Sequence, residues 1–303
     1  MKKPNVIAII ILLLAVTLVW TYCINTPTES SLNKIKVIPP VREKGPKYLP
    51  KALEETYREA TFGNTQAQLL IGNYFYEDAL HDVSREYTKA DATEAGFWFS
   101  QAAIHGEPVM PEAMGKLADC YQRGFGVEKD YKFSRDLYIS AAGRGYKPAF
   151  FTAGYFLKAD DPAKALSYFK IAAESGDIDA QHELGICLID GTGTSKNYKD
   201  AIYWLTEAAH GGSIASIMTL GRFHAEDPGI ESQIEAYAMY NSVLSFPGYD
   251  SSSVSADTRI KIRSIEARLT REQRIQAQNR TAKILAEIAT RKEKAKAAKR
   301  AHK

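Results

Sequence analysis

Two alanines, two variable residues and a glycine recur four times in this chain, as "AAIHG" at 102–106, "AAGRG" at 141–145, "AAESG" at 172–176 and "AAHGG" at 208–212, in steps of 39, 31 and 36 residues. A period of that size constrains the fold more than composition does, because each unit must offer the same faces to its neighbours. Two further sets keep the same register. Small residues five apart precede each pattern: Ala67 and Gly72, Ala113 and Ala118, Ala149 and Gly154, Ala180 and Gly185, Ser216 and Gly221. Another small residue opens the helix that follows, at Ala95, Ser134, Ala165, Ala201 and Ala236, and three places on stands a large one, at Trp98, Leu137, Tyr168, Trp204 and Met239. Small residues at fixed positions let two helices approach closely, and the large residue fills the gap between neighbouring hairpins. No hairpin buries its apolar face alone, so about five of them are expected to stack into an all-α fold, an α-solenoid. Asp130, Asp161 before Pro162, and Asn197 are the expected helix N-caps.

The order "A...LG", "G.G", "A..W...AA..G", on a unit near 36 residues, resembles the Sel1-like repeat family, relatives of tetratricopeptide repeats. "AQHELGICLIDGTGTSKNYKDAIYWLTEAAHGG" at 180–212 carries the likeness best, then "AMGKLADCYQRGFGVEKDYKFSRDLYISAAGRG" at 113–145. It covers roughly 64–248 as five units, and "PKALEETYREATFGN" from Pro50 is similar to a leading half-unit or cap. The resemblance implies a solenoid that binds another protein; members in the bacterial envelope include immunity proteins that neutralise secreted antibacterial effectors, notably lipases. The chain departs from the pattern in places. The first unit has a surplus in "EDALHDVSREYTKADATE", the third has lost the Gly-x-Gly turn, and the fifth lacks "AA..G". The paired cysteines of the family's cysteine-rich members are missing, so their disulfide ladder is not expected.

Ahead of the repeats, "VIAIIILLLAVTLVWTYCI" at 6–24 runs without a charge. As a helix rising ~1.5 Å per residue it would be about 28 Å long, enough for a bilayer core. Trp20 and Tyr22 suit an interface belt, and a cleavage site of small residues is missing. The expectation is therefore an N-terminal transmembrane helix within 1–25, and a Pro-rich tether over 26–48 that holds the soluble part in the periplasm from a bacterial inner membrane. Cys23 leaves a lipoprotein or secreted form as the alternative. The solenoid is placed at 49–248 and C-terminal capping helices with a basic tail at 249–303. There Ile262, Ile265 and Leu269, then Ile275, Ile284, Leu285 and Ile288, form apolar stripes, and Thr270 with Gln273 forms a capping box.

Chemistry-bearing motifs are absorbed by the repeat. "CLIDGTGTSKN" at 187–197 looks like a phosphate loop, yet Ser195 stands where a Walker loop needs glycine before Lys196. Gly191 and Gly193 share their offsets with Gly124 and Gly126, which makes the loop a repeated inter-helix turn. Cys120 and Cys187 share a slot with Tyr74, Phe156 and Phe223, a core position where free thiols are expected. His105 and His210 close turns as exposed residues, and His182 beside Glu183 lacks the second histidine of a metalloprotease motif. Acid pairs Asp160–Asp161 and Asp177–Asp179 fall at helix starts. The net charge of +3 is too small to imply a nucleic-acid partner, and none is expected. No cofactor, metal or small-molecule substrate is expected. Tyr57, Tyr76, Tyr121, Tyr155 and Tyr203 are the candidate groove residues that would grip a protein. The reading is a non-enzymatic scaffold tethered to the membrane through residues 6–24; the alternatives are an immunity protein against a lipase-type effector in the periplasm, a cell-wall hydrolase, or a regulator of membrane-protein assembly.

Overall fold

The computed structural model describes residues 49–81, 88–104, 110–246 and 256–301, all of whose regular structure is helical. Contacts divide the chain into two compact units, Met1–Phe156 and Leu157–Lys303.

In the first unit a single 3-10 turn, Lys51–Leu53, leads into α1 (Glu54–Thr61), followed by α2 (Thr65–His81), α3 (Thr88–Ile104), α4 (Pro111–Arg123) and α5 (Tyr131–Gly143). Each of these helices packs on the next. A second 3-10 turn, Lys147–Ala149, opens α6 (Phe150–Leu157) at the unit boundary. The second unit holds α7 (Pro162–Glu174), α8 (Ile178–Asp190), α9 (Tyr198–His210), α10 (Ile214–Glu226) and α11 (Ile230–Leu244), again packed in succession. Two last helices follow, α12 (Ala256–Glu266) against α11, and α13 (Arg271–Ala301) against both α11 and α9.

The small residues do what their spacing requires. Ala113, Ala118, Ala149, Ala180, Ala201 and Ser216 are fully buried. A Cβ added to Gly185 would lie 2.6 Å from Leu205 Cγ, and one on Gly221 2.8 Å from Tyr240 Cε1, so the facing helix already occupies the space. The "AA..G" pattern is a helix terminus. Gly145, Gly176 and Gly212 take φ of 88°, 89° and 95°, and the N–H of the residue after each donates to the carbonyl of the first alanine: Tyr146 to Ala141 at 3.0 Å, Asp177 to Ala172 at 3.1 Å, Ser213 to Ala208 at 2.9 Å. Left-handed backbone at that point satisfies the last carbonyls, and glycine adopts it without penalty.

The next helix is then capped. Asp130, Asp161, Asp177, Asn197 and Ser213 each accept from the backbone N–H three residues on. Thr270 and Gln273 close the capping box of α13 reciprocally, Thr270 N–H donating to Gln273 Oε1 at 2.8 Å and Gln273 N–H to Thr270 Oγ1 at 3.3 Å.

The membrane-anchored architecture is corrected. Among the described residues no helix is long and apolar enough to cross a membrane, and the expected span over 6–24, with Cys23 and the tether over 26–48, lies outside the described residues. Among the described helices only α13, at 31 residues, has ample length, and "RKEKAKAAKRA" at its end is far too charged for lipid. The described residues are thus all-α, built from helices packed in succession within each unit, and the transmembrane helix, the tethered scaffold and the single-pass inner-membrane placement find no support among them.

Candidate functional site

The five tyrosines proposed from sequence separate into two sorts. In the first unit, Tyr57 stands edge-on to Trp98 with ring centroids 5.4 Å apart, half-buried between α1 and α3. Tyr76 is buried, its ring 5.0 Å from Phe125 and its hydroxyl donating to Asp119 Oδ2; Arg123 Nε pairs with the same carboxylate at 2.9 Å, and Lys116 Nζ lies 5.3 Å from the Tyr76 ring centroid. Burial, then the Asp119 carboxylate, pushes the Tyr76 phenol well above its ordinary range, so it stays a neutral donor. Tyr121 is buried edge-on against Phe133 at 4.8 Å. These three are packing residues. Tyr155 of α6 and Tyr203 of α9 do reach solvent, at 60% and 57% exposed.

Two exposed tyrosines were not among the five. Tyr131 is 61% exposed and Tyr198 48%, and they are equivalent, each the first residue of a helix and each directly after an N-cap, Asp130 or Asn197. The signal was available: with the cap turning the chain, a first-turn residue has no preceding turn to pack on. Exposed aromatics mounted on helices cost little conformational entropy to immobilise and supply amphipathic contact area.

Among the described residues no group of three or more His, Cys, Asp or Glu could hold a metal ion. Cys120 and Cys187 are free and buried, and burial, then Asp119, pushes the Cys120 thiol up to about 12, which leaves it protonated and inert. The aromatic occupants of the same slot, Tyr74, Phe156 and Phe223, are only half-buried. His182 is held by packing, its Nδ1 2.9 Å from Ser216 Oγ, and burial lowers its pKa. His210 differs from the exposed turn residue expected: it sits in the last turn of α9 with Nε2 3.1 Å from Glu287 of α13. His105 lies outside the described residues.

The two-glycine turns complete the geometry. Gly124 and Gly191 cap α4 and α8 in the left-handed region, at φ of 72° and 77°. The turns close identically, Asp130 N–H donating to Tyr121 O at 3.1 Å and Asn197 N–H to Leu188 O at 2.9 Å. A Cβ on Gly126 would fall 1.9 Å from Ala92 O, and one on Gly193 2.2 Å from Pro162 O. The second glycine thus lets the turn rest on the start of an earlier helix, and the loop that looks like a phosphate cradle is filled by protein. A sequence profile for the Sel1 repeat matches residues 65–107, 111–146, 151–177 and 178–213. Four stretches of this chain are thus similar to that repeat.

The chain is similar to proteins of several kinds. A chitin synthase regulator of Saccharomyces cerevisiae is 29% identical over 150 residues, 46% of this chain and 21% of the regulator. A protective antigen of uropathogenic Escherichia coli strains, displaying an SLR fold, superposes with a TM-score of 0.59 at 22% identity, covering 79% of this chain and 49% of the antigen, a likeness of fold alone. An immunity protein of Pseudomonas aeruginosa aligns over 80% of this chain and 85% of its own at 17% identity, with a TM-score of 0.34 that is too low to argue from. The chain spans between about a fifth and two fifths of the length of the curated relatives it matches.

Proposed function

We propose that the protein is a non-enzymatic interaction module that binds a protein partner through aromatic side chains presented by its Sel1 repeats. The observation that carries this reading is the exposure of Tyr131, Tyr155, Tyr198 and Tyr203 on helices whose buried faces are fully committed to packing. Rigid helices with exposed aromatics suit a repeat scaffold, whose surface is free for recognition once neighbouring units have buried each core face. Membrane tethering forms no part of the reading.

The test is capture of a partner by the purified chain, cross-linked and identified, then repeated with Tyr155→Ser and Tyr203→Ser. Loss of capture with unchanged helical circular dichroism supports the module; capture that survives both substitutions, and Tyr131→Ser with Tyr198→Ser as well, refutes it. Immunity against a secreted effector, the role that the resemblance to Sel1-like proteins of the bacterial envelope implies, is the specific form that genetics can check. Cells lacking the gene would be killed by siblings that carry a neighbouring effector gene, and their survival removes that form.

A further inference from the structure

In the second unit, α13 runs on past the body it docks on. Its last buried side chain is Ile288, and from Ala289 to Arg300 every described side chain is exposed, along about 18 Å of helix at ~1.5 Å per residue. Over Arg291–Ala301 the chain carries six Lys or Arg against the single Glu293. The helix dipole favours cations only in the last turn, so it accounts for Arg300 but not for Lys292, Lys294 or Lys296. Lys292, Lys296 and Arg300 stand at i, i+4 and i+8 on one face, about 6 Å apart along the axis, where like charges repel. We propose that this basic end and Tyr203 of α9 form one surface that takes an acidic segment of a partner protein; the inference rests on the reading that the protein binds other proteins.

The pairs Glu207–Arg291 and His210–Glu287 set α9 and α13 antiparallel. Tyr203 stands one turn before Glu207, and the same step along α13 leads from Arg291 to Lys294 and Ala295, so Tyr203 is level with the start of the basic end. It is 57% exposed, with its ring 5.0 Å from that of Trp204. Repeat packing does not require it: Phe97, Asp136, Ser167 and Ala238 occupy its place in the other units. The carboxylates nearby are engaged, Glu207 by Arg291 at 2.7 Å, Glu287 by His210 at 3.1 Å and Glu293 by Lys296 at 2.8 Å. Lys294 and Arg300 have no ionic partner among the described residues.

The complement is therefore a row of carboxylates with an apolar side chain to lie on the Tyr203 ring. An acidic protein segment supplies both, and an exposed aromatic beside a charged rim is the usual make-up of a protein interface. A lipid surface matches less well, because beyond Ile288 the helix offers alanine and threonine but no large apolar side chain to bury. A nucleic-acid duplex presents phosphates without the apolar group that suits Tyr203, and a net charge of +3 gives it little long-range attraction.

The full chain is titrated at near-physiological salt with a labelled short peptide, N-acetylated and amidated, of Glu residues around a central Leu. Controls are the same peptide with Gln for Glu, the same peptide with Ser for Leu, a DNA duplex, and phosphatidylcholine vesicles containing phosphatidylserine. The acidic peptide should bind at least about tenfold more tightly than its Gln version, and more weakly as salt rises. Lys294→Gln with Lys296→Gln and Arg300→Gln, all on exposed side chains and checked by circular dichroism, should weaken it by about tenfold. Tyr203→Ser should weaken it by about threefold and abolish the preference for Leu over Ser, which Tyr203→Phe should keep. Equal binding of the Gln version, indifference to the triple variant, or a Tyr203→Ser chain that still prefers Leu would overturn the proposal, as would tighter binding of the duplex or the vesicles. If the triple variant still captures the partner while the tyrosine variants do not, the basic surface falls and the interaction module stands; capture that survives both sets removes both.

Discussion

The α8–α9 pair and the long helix α13 both belong to the second unit, yet they are held in opposite ways. The pair is held by what is left out: Gly185 admits Leu205, Gly191 turns the chain, and Gly193 makes room for Pro162 O. Helix α13 is held by what reaches across. Ile284 and Ile288 join a cluster with Leu205, Ile217, Leu220 and Val243, and Arg280, Glu287 and Arg291 extend to Glu235, His210 and Glu207. Positions that need an absent side chain tolerate almost no residue but glycine, whereas reaching side chains can be rebuilt in many ways.

The largest effect should follow from breaking the first kind of fit. Gly193→Ala adds the cost of a left-handed non-glycine residue to a backbone clash at 2.2 Å, together about 2–5 kcal/mol. Gly176→Ala is its control: at φ 89° it has nothing within 4 Å of the added Cβ, so only the conformational cost remains, about 1–2 kcal/mol. Urea unfolding of the two variants compares them, and equal losses would show that the turn does not rest on Pro162 as described.

Next comes a truncation in the second kind of fit. Ile288→Ala removes a buried branched side chain from the cluster that α13 shares with α9, α10 and α11, and should cost about 2–4 kcal/mol. Calorimetry would sharpen the contrast if the loss appears as early release of α13 while the repeats unfold later. A single transition, shifted as a whole, would mean that helix and repeats are one cooperative unit.

The same contrast explains what could be read in advance. The small-residue register, the caps at Asp130, Asp161 and Asn197, the free thiols Cys120 and Cys187 and the Thr270–Gln273 box were legible because each is a local or periodic requirement. Tyr76 and Tyr121 were not distinguishable from Tyr155 and Tyr203, since their fates depend on Asp119, Phe125 and Phe133, which no period in the sequence ties to them. His210 was placed in an exposed turn for the same reason: its partner, Glu287, is 77 residues away. The stripe on α13 was visible because Ile284 and Ile288 keep helical spacing.

Two histidines offer a probe of both regions by pH. His182 lies in α8, and His224 lies in α10 near Glu235 and Arg280, where α13 docks. Burial lowers both pKa values, the neighbouring carboxylates of Glu183 and Asp179, and of Glu235 and Asp227, opposing it in part, with Lys158 and Arg280 adding to the depression. The unfolded chain therefore takes up protons at these sites near the ordinary value of about 6.5, before the folded chain does. Stability is then complete above that value and lost as pH falls through it towards the lowered folded values. The urea midpoint should drop between about pH 7.5 and about pH 5.5, and His182→Gln with His224→Gln should flatten the drop; an unchanged profile in the double variant would remove the histidines as its source.

The smallest effect should come from the ion pairs that flank α13. Arg280 Nε donates to both oxygens of Glu235 at 2.9 and 3.0 Å, but both side chains are about a third exposed, so water competes for each charge and salt screens the pair. A double-mutant cycle with Arg280→Ala and Glu235→Ala should give a coupling of about 0.5–1 kcal/mol that shrinks in high salt. The packing of Ile284 and Ile288 already sets the position of the helix, so the charges refine its rotation rather than secure it. A coupling above about 2 kcal/mol, insensitive to salt, would reverse that ranking and make α13 a helix docked chiefly by charge.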